Sequence, residues 1–172
     1  RSNMLPKHQT DLIQLLEYIC PDQLFVELIQ EELDQGIPDY PAEMVAAYQW
    51  ANRKAIEVRG FDVRTEELYN SKISPKQIER LSQSLMDTFA KISWQQANQK
   101  ENLKFHETFV AEALDVKKLK KRQAMMLKRI KKQMLKAGKV LILTGVGHLN
   151  FLQANLSQAK LPFRENQKQQ VT

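Results

Sequence analysis

Hydrophobic positions recur along this chain either every three to four residues or in short unbroken runs, and the switch between the two marks out its elements. Across 8–19, Leu12, Leu15, Leu16 and Ile19 fall on one helical face. Pro21-Asp22 ends that helix. Gln23 to Leu28 is short, apolar and β-prone, which predicts a buried strand. Residues 30–42, with Gly36, Pro38 and Pro41, read mainly as loop. Residues 43–54 predict a second helix with Met44, Tyr48 and Ala51 aligned, and 55–61 a second strand. Ser74-Pro75-Lys76-Gln77 carries the signals of a helix start: a capping serine, proline at the first helical position and glutamine to complete a capping box. Ile78, Leu81, Leu85, Phe89 and Ile92 then make the clearest amphipathic pattern in the chain. A further helix is expected over about 99–114, with His106, Phe109, Val110 and Ala113 along one side. A basic helix runs from about Lys117 to Ala137, with Leu119, Met126, Ile130 and Met134 as its inward stripe and Gly138 as its C-cap. Val140 to Thr144 is the strongest strand, and Gly145-Val146-Gly147-His148 turns from it into a helix at about 149–158. The tail after Leu161 is read as a last short strand with a frayed end over 162–172.

Strands alternating with helices predict an α/β fold, helix-rich, with a small mainly parallel sheet flanked by several long helices, as a single domain over 1–172. Three strands are few for such a sheet. The chain opens on Arg1 rather than methionine, so a first strand upstream of Arg1 is expected.

Composition narrows the class. A chain of 172 residues with 42% hydrophobic residues can bury a core. Five Gly and six Pro exclude collagen-like and low-complexity chains. Cys20, the one cysteine, excludes a disulfide framework and a cysteine-based zinc site, and fits a reducing, cytoplasmic compartment. There is no apolar run of transmembrane length and no visible signal peptide. The net charge of +6 is unevenly placed. Residues 1–60 carry 5 basic and 10 acidic side chains, whereas 113–172 carry 14 and 2, and Lys117 to Lys139 holds eleven Lys/Arg with no acid. Either this helix exposes a solvated face, or it meets an anionic partner such as nucleic acid or lipid.

Three residues are the main candidates for chemistry. Glu27 lies inside an apolar strand, where a carboxylate must be paired, metal-bound or at the strand end. Arg122 falls on the apolar stripe of the basic helix, between Leu119 and Met126, and so either snorkels to water or needs an anion: Glu27, or a ligand carboxylate or phosphate. His148 follows a strand and a Gly-x-Gly turn, a position suited to a metal ligand or an acid/base, or to a helix-capping histidine. Gly145 and Gly147 let the backbone approach a ligand or pack tightly. Asp62 is a second strand-end acid, and His8 opens the first helix where it could reach the same sheet edge. His106, on an apolar face, reads as core, and so does the Met-rich stretch at 125–134.

Taken in order, Pro-Asp-Gln-Leu-Phe-Val-Glu-Leu (21–28), Lys-Lys-Arg-Gln-Ala-Met-Met (120–126) and Gly-Lys-Val-Leu-Ile-Leu-Thr-Gly-Val-Gly-His-Leu (138–149) resemble the TraB/ChaN/TIKI and erythromycin-esterase-like superfamily. That family pattern also has a first strand ending in a Gly-x-x-His motif, and residues 1–8 look like the stretch just after it. The resemblance implies a pocket at the carboxyl edge of the sheet lined by Glu27, Arg122 and His148. It implies a metal-dependent hydrolase of peptidase or esterase type acting on a small-molecule or peptide ligand, with Glu27 and His148 as metal ligands; some relatives bind haem instead. A catalytic zinc takes three protein ligands, so such a pair needs a third. The alternative is a non-catalytic binding module, holding haem as those relatives do or gripping an anionic surface through 117–139. Trp50 and Trp94 are not interleaved with the basic run, so binding there would be unspecific and salt-dependent. A homo-oligomer is also expected, since a small sheet with long helices can leave an apolar face uncovered.

Overall fold

The computed structural model describes residues 6–36, 41–63, 68–93, 96 and 99–156. The chain runs α1 (Pro6–Ile19), β1 (Gln23–Ile29), α2 (Gln30–Gln35), α3 (Ala42–Arg53), β2 (Glu57–Asp62), α4 (Pro75–Phe89), α5 (Lys100–Ala113), α6 (Val116–Gln133), β3 (Val140–Leu143) and α7 (Val146–Asn155). This is the helix-rich α/β fold that the alternation predicts. The expected strand after Leu161 and the frayed end over 162–172 lie outside the described residues. The chain packs as two compact units, one holding α1 to β2 with α6 and β3, the other holding α4, α5 and α7.

In the first unit the three strands are parallel in the order β2-β1-β3. Gln23 lies beside Glu57 and Val140, and Val26 beside Gly60 and Leu143. β1 is central, and its period of two divides its side chains between two cores. Leu24, Val26 and Leu28 pack with Leu12 and Leu16 of α1 and with Met44, Ala47, Trp50 and Ala51 of α3. Gln23, Phe25 and Glu27 face the other way, towards α6. Phe25 meets Phe61 edge-on at 6.5 Å between ring centroids, and Met126 and Ile130 of α6 are fully buried. Both faces of the sheet are therefore covered, as a parallel sheet requires.

The basic helix ends earlier than its charge pattern predicts. Gln23, 1% exposed, donates from Nε2 to the Gln133 carbonyl at 3.1 Å and to Glu57 at 2.9 Å, and its Oε1 accepts from the Leu135 N–H at 3.0 Å. A buried amide 110 residues away thus satisfies a carbonyl left open at the end of α6 and holds the residue two places beyond it. Met134, expected on the inward stripe, is 38% exposed, and Gln123 is buried in the stripe instead. Gly138 is not the C-cap. It sits in the return turn at φ +103, where the Lys139 N–H donates to Asp22 at 2.7 Å; an added Cβ would come within 2.7 Å of that same carboxylate. Residues 30–35, expected as loop, form α2. Six residues are too short to display a helical period, and the helix is held by burial of Leu33 and a Gln30–Asp34 hydrogen bond of 2.8 Å.

In the second unit α4 starts as its sequence predicts. The Ser74 hydroxyl accepts from the Gln77 N–H at 3.3 Å, and the Gln77 side chain accepts from the Ser74 N–H at 3.0 Å. Its apolar stripe is only half-buried: Ile78, Leu81, Leu85 and Phe89 all keep partial exposure. α4 packs on α5, and α5 on α7. Among its described residues, Leu103, Ala113, His148, Leu152 and Leu156 are the buried side chains of this unit. α7 begins at Val146, three residues before the expected start, so Gly147 and His148 lie in its first turn.

Candidate functional site

Parallel strands bring their carboxyl ends to one edge. In the first unit that edge holds Glu27 from β1, Asp62 at the end of β2, and Thr144 with Gly145 directly after β3. α6 runs antiparallel to β1 over them. Its Gln133 end is fixed at Gln23, and the eleven residues back to Arg122 span about 16 Å of helix. The four residues from Gln23 to Glu27 span about 13 Å of strand. Arg122 therefore arrives at the carboxyl edge rather than over the middle of the sheet.

There Arg122 makes a two-pronged pair with Asp62, Nε to Oδ1 at 2.9 Å and Nη2 to Oδ2 at 2.6 Å. Nη2 also lies 3.7 Å from Glu27 Oε1. The other oxygen of Glu27 accepts from the Thr144 hydroxyl and the Gly145 N–H, both at 2.7 Å. The side chains of Arg122, Glu27 and Asp62 are 15–17% exposed, so this is a semi-enclosed charge cluster. Burial works against the guanidinium charge, but hydrogen bonding to Asp62 and the charges of Asp62 and Glu27 outweigh it and hold Arg122 above its ordinary pKa. Two turns further along α6, Arg129 donates to the Asp62 carbonyl and lies 3.6 Å from Glu31.

Four of the candidate residues, Glu27, Asp62, Arg122 and Gly145, thus come together. The sequence names Glu27 as the protein anion for Arg122; Asp62 is the closer partner. Three contributors escape the sequence reading. The hydroxyl of Thr144 at the end of a strong strand was the available signal for that residue. Arg129 is one basic residue among many, and Gln23 merely opens an apolar strand; neither carries a signal of its own.

Gly147 and His148 belong to the second unit. His148 is 6% exposed. His106 stands between the rings of Phe89 and Phe109 at 6.4 and 6.1 Å, in keeping with its reading as core. Burial first, and then the nearby charge of His148, push the His106 pKa below its ordinary value, against a smaller opposing effect of Glu107. An added Cβ at Gly147 would come within 2.9 Å of His106 Cε1, so the glycine allows α7 to pass close to that ring. What the backbone approaches at both glycines is the chain itself: Glu27 at Gly145 and His106 at Gly147. His8 lies in α1, but its side chain is outside those described.

Among the described residues, no group of three or more His, Cys, Asp or Glu is placed to hold a metal ion. Among those residues, neither Glu27 nor His148 belongs to a set of the size a catalytic metal needs. No helix among them is long and apolar enough to cross a membrane. No family model matches the chain, and no curated protein or solved structure does so either.

Proposed function

We propose that this chain is a hydrolase-type α/β domain, as its resemblance to the TraB/ChaN/TIKI superfamily implies, acting on an ester or amide bond at the carboxyl edge of its sheet. The observation that supports the reading is one connected cluster drawn from all three strands: Glu27 and Asp62 lie against Arg122, and Thr144 with Gly145 holds Glu27. Glu27 is the general base. It takes a proton from water, whose oxygen attacks the carbonyl carbon. The tetrahedral oxyanion is stabilised by the guanidinium of Arg122, already fixed in place and charged. Collapse breaks the bond to the leaving alcohol or amine, which takes back the proton from Glu27. Asp62 and Thr144 act through others: Asp62 orients Arg122, and Thr144 holds the Glu27 carboxylate. The described donor set does not fit a metal ion, so no step uses one.

The test is hydrolysis of a panel of p-nitrophenyl esters and peptide amides by the wild-type chain and by Glu27→Gln. The variant keeps the hydrogen bonds from Thr144 and Gly145 but cannot accept the proton. We expect kcat to fall by about 10² to 10⁴ while the melting temperature drops by a few degrees at most, since Asp62 still pairs with Arg122. A Glu27→Gln chain with the wild-type rate would refute this assignment.

A further inference from the structure

Five lysines on the outward face of α6 meet no carboxylate among the described residues. Lys120, Lys121, Lys128, Lys131 and Lys132 are all exposed. Among the described residues no carboxylate pairs with any of them. At about 100° per residue the five fall within an arc of roughly 120°, opposite the buried stripe of Leu119, Met126 and Ile130. They spread over about 18 Å of helix axis. Five like charges so close together repel one another, and an ordinary solvated face would intersperse acids to relieve that repulsion. Here there are none between Lys117 and Lys139.

The side chains beside the lysines distinguish between anionic partners. Both arginines of the helix are turned to the sheet unit, Arg122 to Asp62 and Arg129 to Glu31 and the Asp62 carbonyl. The lysine arc holds no arginine, amide or aromatic side chain, so it lacks the planar forks that read adenine and guanine edges best and the rings on which bases stack. Its flanks are apolar instead. Met125 at its edge is 43% exposed, and Met134 and Leu135 beyond the helix end are 38% and 39% exposed. Ammonium groups bordered by exposed thioether and leucine side chains fit a layer whose surface is anionic and whose interior is apolar. We infer that this face of α6 docks peripherally on an anionic phospholipid surface, with the lysines over the headgroups and Met125 and Leu135 dipping between them.

Co-sedimentation of the whole chain with phosphatidylcholine vesicles, with and without 30% phosphatidylserine, tests the inference. Binding should require phosphatidylserine and weaken at least tenfold between 0.05 and 0.5 M salt. The triple variant Lys121→Gln/Lys128→Gln/Lys132→Gln should lose about a hundredfold in partitioning, since each lysine near such a surface contributes roughly fivefold. The matching Lys→Arg triple should bind within a few-fold of wild type, and Met125→Ser should lose several-fold. Circular dichroism melts check that each variant is folded, and the salt series on the wild type decides the matter should the Gln triple not fold. Failure of the wild type to sediment with phosphatidylserine vesicles overturns the inference. So does binding that ignores salt, or a folded Gln triple that binds like wild type. Tighter binding to duplex DNA than to vesicles at equal salt overturns it as well, and assigns the face to nucleic acid.

Discussion

The sheet unit and the helical unit bury their side chains to different depths. Every one of the largest fully buried side chains, among them Phe25, Phe61, Leu16, Leu24, Met126 and Ile130, belongs to the sheet unit. In the helical unit α4 has the strongest amphipathic pattern of the chain, yet none of its residues is buried. The difference is one of geometry. A strand covered on both faces encloses each side chain it carries, whereas a helix packed along one seam leaves its stripe partly in water. Amphipathicity in a sequence states which face turns inward, not how deeply it is buried. The same enclosure makes the carboxyl edge of the sheet a place where charges must be paired. Asp62, Glu27 and Arg122 meet that demand together.

The sharpest way to break this comparison is to truncate equivalent apolar side chains on either side of it. Leu24→Ala should cost about 3–5 kcal/mol, because its site is closed on every side. Leu85→Ala on α4 should cost about 1 kcal/mol, because its side chain is already partly exposed. Urea denaturation monitored by amide hydrogen exchange would assign each loss to its own unit, and equal losses would end the contrast. Next in size is the charge cluster. Asp62→Ala leaves Arg122 without its two-pronged partner in a semi-enclosed site and should cost about 2–4 kcal/mol. Adding Arg122→Leu should recover part of that, and a double-mutant cycle would read the coupling directly. A coupling near zero would mean that the pair is merely adjacent.

The smallest effect belongs to the helical unit and appears as pH dependence. His106 has a lowered pKa when folded, so between that value and about 6.5 the unfolded chain binds the extra proton. Its stabilising contribution is complete above about pH 6.5 and fades as the pH falls through that value towards the lowered one. Melting temperatures at pH 7.5 and 5.5 should therefore show an acid-side loss that shrinks in His106→Phe. An identical loss in the variant would trace it to other groups.

Much of this architecture was readable in the residues. Leu24, Phe25 and Val26 announce a strand buried on both faces, and all three are 0% exposed. Ser74 and Gln77 announce a capping box, and it is present. Arg122 on an apolar stripe announces a buried cation in need of an anion. The sequence could not tell which anion would serve. Glu27 looks the better choice because it stands inside an apolar run, but parallel register sets Ile29 of β1 beside Asp62 and so brings that carboxylate under α6. Nor could it place the end of the basic helix. Its lysines and Gly138 suggest continuation, while Gln23, more than a hundred residues earlier, ends it.

Most of the elements, most of their inward faces and the run of charge on α6 follow from period and composition, which act over a few neighbouring residues. Tertiary packing settled which charges meet at the carboxyl edge of the sheet, where α6 stops, and which lysines are left facing outward. Those outcomes depend on contacts between segments far apart in the chain, and strand register and helix direction, not local propensity, determine which of them can form.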